Sequence, residues 1–157
     1  MITADLLRDI ASHFDGDTPE TPKHLSDISV FEAKLLQPLW NKSWDDISWD
    51  DFNRGSSIFH DLPEENLPYF LGAFMHHSVQ NHVFESAAFD PFWEFPEQLK
   101  NKKYRNRPKM VLLRSNLNAD QVGVFSQYLS FRQLYGPPHE TEQLQFMIDL
   151  LQHQYGA

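Results

Sequence analysis

Cysteine is absent from the 157 residues. That removes disulfides, thiolate nucleophiles and every zinc site built with sulfur. Glycine is scarce and scattered, six residues in all, so no Gly-rich loop is present to cradle a phosphate, and no G-x-S-x-G elbow is present to hold a nucleophilic serine. Long apolar stretches are missing too. None approaches the roughly 18 residues that a membrane span needs. The first segment, Met1–Phe14, carries Asp5 and Asp9 and has neither the basic start nor the unbroken apolar stretch of a secretory signal. These absences predict a cytoplasmic protein with no membrane association.

Positive charge is the next scarcity. The chain holds 13 Lys and Arg against 22 Asp and Glu, a formal net charge of −9. Seven of the bases lie together at Lys100, Lys102, Lys103, Arg105, Arg107, Lys109 and Arg114, with no acid among them. The rest of the chain sets six bases against all 22 acids. Such a field repels nucleic acid and attracts basic partners, and it also serves plain solubility. Tyr104 inside the basic stretch offers a base-stacking aromatic, but the acidic remainder argues against nucleic-acid binding. A solvated loop, or an internal partner for the acidic half, fits the stretch better.

What the chain has in quantity is aromatic residues: 13 Phe, 5 Tyr and 4 Trp, or 14% of the total. Large rings bury much area with few rotatable bonds, which favours a folded chain. A length of 157 residues suits one domain, 1–157, with a real core. Apolar spacing predicts helices over 2–14 (Ile2, Leu6, Leu7, Ile10, Phe14) and 26–40 (Ile28, Phe31, Leu35, Leu36). Ser48 with Asp51 resembles a capping box for a helix running to about His60. Asn66 and Pro68 read as a cap and an early helical proline before 67–80, the most apolar helix and the expected centre of the core. Residues 84–97 are irregular and Phe-rich, with Pro91 and Pro96. Met110–Leu113 is short enough to be a strand or a helix turn. Asn118 with Gln121 is a second capping box, opening a helix through Val122, Phe125, Tyr128, Leu129 and Leu134. Gly136-Pro137-Pro138 stops it, and Glu140–Tyr155 forms the last helix with Leu144, Met147, Ile148 and Leu151 on one face. The sum is an all-α fold, a compact bundle of about six helices with an irregular aromatic and basic segment near 84–114.

Catalytic constellations are wanting. His76, His77 and His82 are separated by one, five and six residues, whereas helical zinc pairs stand one turn apart. No metal site and no cofactor is expected. Gly55-Ser56-Ser57 lies within a predicted helix and suits a helix–helix contact. The adjacent acids Asp45/Asp46, Asp50/Asp51 and Glu64/Glu65 project about 100° apart on a helix and share no proton. A small hydrolase or metal-dependent enzyme using His60, His76, His77 or His82 is the alternative function. A structural or regulatory subunit that docks through the aromatic segment is another.

The feature that stands out is the tandem SWDDI–SWDDF at 43–52. Trp44 and Trp49 interleave Asp45, Asp46, Asp50 and Asp51, and Glu64 and Glu65 follow. A partner-binding patch needs aromatic anchors ringed by charge complementary to the partner's. If both tryptophans enter the core, only an acidic rim remains. These eight residues are the expected partner-binding set, and no residue is expected to be catalytic.

This tandem, the block LPEENLPYFLGAFM (Leu62–Met75) and the block LNADQVGVFSQYLSF (Leu117–Phe131) resemble an uncharacterised bacterial family of unknown function. The resemblance covers about half the chain. It departs at Gly72, where the family usually carries proline. It implies a small helical bacterial protein and transfers no catalytic residue. The general character, small, acidic and cytoplasmic, is also similar to bacterial toxin-immunity proteins. The resulting expectation is a non-enzymatic acidic binding protein, an immunity-type inhibitor that covers the basic surface of a cognate toxin.

Overall fold

A computed structural model describes residues 2–20, 37–53, 64–84 and 117–155. Among these residues the fold is all-α, with five α-helices and no strand. The helices are α1 (Ile2–Phe14), α2 (Trp49–Asn53), α3 (Leu67–Asn81), α4 (Ala119–Tyr135) and α5 (Thr141–Tyr155), joined in places by short 3-10 turns. Most of the expected 26–40 helix, the end of the 48–60 helix with Gly55-Ser56-Ser57, the Phe-rich stretch from Glu85 onward, and the basic stretch with Met110–Leu113 lie outside the described residues. What is described of the first is a 3-10 turn, Gln37–Leu39.

Helix α1 forms because Leu6, Ile10 and Phe14 recur every four residues and all three are buried. It packs against α3 on one side and α4 on the other, while α5 packs on α4 and α2 on α3. Helix α3 is buried nearly all round, from Leu67 through Val79, which is the signature of a central helix. Its apolar neighbours come from every described part of the chain.

The caps differ in outcome. Asn118 accepts from the Gln121 N–H at 2.8 Å, and the Gln121 side chain accepts from the Asn118 N–H at 3.0 Å, a complete capping box. Asp51 serves Ser48 in the same way: the Ser48 N–H donates to Asp51 Oδ2 at 2.9 Å and the Asp51 N–H to Ser48 Oγ at 3.2 Å. Asn66 is not a side-chain cap. It closes the 3-10 turn Glu64–Asn66, which runs directly into α3, so its backbone is already helical and its side chain makes no cap hydrogen bond. At the other end of α3 His82 adopts the left-handed conformation with φ 51°, and Ser78 O accepts from the Val83 N–H at 3.1 Å.

Helix α4 departs from the expected face at one position. Val122, Phe125, Tyr128 and Leu129 are buried, but Leu134 is 68% exposed. At about 100° per residue, position 134 is rotated some 120° from position 122. Phe131 and Arg132 take the buried places in that turn instead. Arg132 is enclosed with Glu140: Nε donates to Oε2 at 2.8 Å and Nη2 to Oε1 at 3.0 Å. Nη2 also donates to the Phe84 carbonyl and Nη1 to Tyr128 Oη at 3.3 Å, while the Tyr128 hydroxyl donates to Ser78 Oγ at 2.9 Å. This network joins α3, α4 and the turn Pro138–Glu140. Burial raises the Tyr128 phenol above its ordinary value, with Arg132 pulling the other way, so the hydroxyl stays a neutral donor.

Candidate functional site

The tandem folds as two short turns laid along α3. Ser43 precedes the 3-10 turn Trp44–Asp46, and Ser48 opens α2. Both tryptophans face inward. Trp44 is 8% exposed, its ring 6.0 Å from Tyr69 and 5.5 Å from His76. Trp49 is half-buried and stacks on Phe74 with centroids 5.1 Å apart. Phe52 meets Phe74 edge-on at 5.6 Å. The apolar members of the tandem are thus part of the core.

Gly72 makes this packing possible. A Cβ at position 72 would stand 2.4 Å from Phe14 Cβ and 2.7 Å from Trp44 Cζ2. Both α1 and the Trp44 indole approach α3 here, where it has no side chain. The Trp44 Nε1 N–H is buried and has no hydrogen-bond partner among the described residues; the indole packs at Gly72, Tyr69 and His76. His77 Nε2 lies 3.0 Å from the Trp44 carbonyl oxygen and fixes the turn from below.

The acids divide by task. Asp45, Asp46 and Asp50 are exposed, and Asp46 accepts from Ser43 Oγ at 3.0 Å. Asp51 is 6% exposed, serving the Ser48 cap and pairing with Lys42 Nζ at 3.6 Å. Glu65 is exposed, and Glu64 belongs to the turn before α3. Of the eight residues expected to bind a partner, Asp45, Asp46, Asp50 and Glu65 present carboxylates to solvent, while Trp44 and Asp51 do structural tasks inside.

The tertiary fold adds an acid that the linear pattern misses. Asp15 follows α1 directly, and Phe14 packs at Gly72, so the end of α1 arrives beside the tandem. The Asn41 N–H donates to the Pro19 carbonyl at 2.8 Å and holds the 15–20 loop against the tandem's approach. Tyr69 Oη donates to the Lys42 carbonyl at 2.9 Å on the same side. Asp15 and Asp45 both act on His76. Partial burial and the neighbouring His77 hold the His76 imidazole below its ordinary value, and these two carboxylates oppose that without cancelling it. A weak sequence signal existed: Asp15 and Asp17 stand in the polar loop that ends α1.

The remaining histidines do not converge. His82 lies beyond α3 among Phe84, Phe131 and Tyr135, and His60 falls outside the described residues. Among the described residues no three His, Asp or Glu side chains are placed to hold a metal ion. No helix among them is long and apolar enough to cross a membrane. No family model, curated protein or solved structure matches this chain.

Proposed function

We propose that this chain is a non-enzymatic acidic binding protein of the cytoplasm, acting as an immunity-type inhibitor that covers the basic surface of a cognate bacterial toxin. One observation carries the reading. The tandem's aromatic residues are spent on the core, and its carboxylates Asp45, Asp46 and Asp50 are left exposed on a rigid platform, with Asp15 brought in from another part of the chain. The only base beside the tandem in the described sequence, Lys42, is paired with Asp51. Rigid placement lowers the ordering cost of binding. Fixed like charges speed encounter with a basic partner and repel nucleic acid.

The test is a tagged pull-down from the native host, with bound proteins identified by mass spectrometry. One basic protein retained at low salt and weakened at high salt is the expected result. Reversal of the exposed acids together (Asp45→Lys, Asp46→Lys, Asp50→Lys) is expected to cut its affinity at least tenfold with the helical circular dichroism unchanged. Asp51 is left out because its loss would disturb the cap. Unchanged affinity in the triple variant would remove this face from the mechanism.

A further inference from the structure

Three parts of the chain meet at His76. Trp44 and Phe14 both close on Gly72, one turn earlier on α3. The residues that follow them in sequence are Asp45, in the tandem, and Asp15, at the end of α1. The packing that fills the space over Gly72 therefore carries two exposed carboxylates to one imidazole. The His76 ring lies half-buried against the Trp44 indole, with centroids 5.5 Å apart. The ionisable groups that act on it among the described residues are Asp45, Asp15 and the neighbouring His77. Lys42, the base next to the tandem, is committed to Asp51.

His77 has a different task. The Trp44 carbonyl is an acceptor, so His77 Nε2 donates to it across 3.0 Å. The neutral Nε2–H tautomer and the imidazolium both make that bond, so a proton added to His77 leaves the turn in place. A proton added to His76 sets a positive charge beside Asp45 and Asp15. Carboxylates that already serve an imidazolium attract a lysine or arginine from outside less strongly. The coupling is reciprocal. A cation seated on Asp45 and Asp15 opposes protonation of His76 by the same factor with which the proton opposes the cation. Burial against the indole, and His77 next to it, hold the imidazole neutral at neutral pH in spite of the two carboxylates. The face thus keeps its full negative charge there and loses part of it on acidification.

We infer that His76 is a proton-operated control on the acidic face, its protonation weakening the hold of Asp45 and Asp15 on a basic partner. The inference rests on the binding role proposed for that face.

Decalysine is the probe, because its side chains stay charged between about pH 5 and pH 7.5. The carboxylates of the face stay largely ionised over the same range, so histidines dominate the protein's own change in charge. Binding to the full chain is measured by isothermal titration calorimetry. The His76 ring is followed by NMR and assigned through its loss in His76→Gln. Acidification across that range is expected to weaken decalysine binding about twofold more in the native chain than in His76→Gln, with the helical circular dichroism unchanged in both. Saturating decalysine is expected to lower the His76 titration midpoint by a matching amount, and Asp45→Asn to lower it without the peptide. Equal pH dependence in the native and His76→Gln chains, or a His76 midpoint unmoved by decalysine or by Asp45→Asn, would overturn the inference and leave the binding role of the face intact. Decalysine that fails to bind at neutral pH, or binds equally well to the variant Asp45→Lys/Asp46→Lys/Asp50→Lys, would overturn the acidic-face reading itself and the inference with it.

Discussion

Gly72 and His76 lie one turn apart on α3 and illustrate how single residues carry this structure. At Gly72 the two effects of adding a methyl group oppose one another. Alanine favours helix over glycine by about 1 kcal/mol, but its Cβ would fall 2.4 Å from Phe14 and 2.7 Å from Trp44. Overpacking of that kind costs about 1–3 kcal/mol, and the obstacles are a Cβ on α1 and a rigid indole, neither of which can swing aside. Gly72→Ala is therefore expected to lower stability, read as a lower urea midpoint with shifted tryptophan fluorescence. A stabilised variant would mean that α1 can move off α3 at little cost.

His76 gives a pH dependence whose sign follows from its setting. Its imidazole is held below the ordinary value of 6.5, by partial burial first and by His77 second, with Asp45 and Asp15 opposing. The unfolded chain then binds a proton before the folded chain does. The stability tied to this group is complete above the unfolded value and is lost as pH falls through it toward the folded value. Urea midpoints are expected to drop between about pH 7.5 and pH 5.5, and His76→Gln should flatten that slope. An identical slope in the variant would assign it to other groups.

At the scale of elements, α4 is the most legible part of the chain and also the place where pattern reading fails. Its start was written in Asn118 and Gln121, because a capping box is a local contact between residues three apart. Its buried face was written in Val122, Phe125 and Leu129. The last turn was not. An apolar Leu134 and a charged Arg132 suggest the reverse of what occurs, since Arg132 is 1% exposed and Leu134 stands in solvent. The inversion depends on Glu140, eight residues on, which returns beneath α4 after the Gly136-Pro137-Pro138 break and supplies both carboxylate oxygens to the guanidinium. Breaking such a pair leaves a buried charge and costs about 3–5 kcal/mol. Glu140→Gln and Arg132→Met are each expected to destabilise the fold by an amount in that range, measured by denaturant unfolding. The double variant Arg132→Met/Glu140→Leu should recover much of the loss, because no unpaired charge remains. Additive losses would show that the pair's hydrogen bonds to Phe84 and Tyr128 matter more than its charge balance.

For the molecule as a whole, the governing quantity is the distribution of acid. The proposed binding of a basic partner by the exposed carboxylates predicts an electrostatic signature in kinetics: the association rate falls steeply between about 50 and 500 mM salt, and the dissociation rate changes less. A salt-independent association rate would point to an apolar contact. Composition and the spacing of apolar residues determined several things, since they need no knowledge of which residues meet: no thiol chemistry, an acidic field, and helices wherever apolar residues recur at helical spacing, hence an all-α chain. Local caps at Ser48 and Asn118 were equally legible, for they are closed by neighbours. Only the tertiary structure decided the fate of each residue in the tandem. Trp44 and Trp49 carry the same sequence context as anchors of a binding patch, yet both turn inward, because Gly72 leaves room for one indole and Phe74 offers a stacking face to the other. Asp51 and Asp50 are adjacent and chemically identical, yet one is held inside by Ser48 and Lys42 and the other is left to solvent. Asp15 joins Asp45 at His76 only because α1 ends where α3 has no side chain. Burial is a property of the whole packing, and no window of sequence contains it.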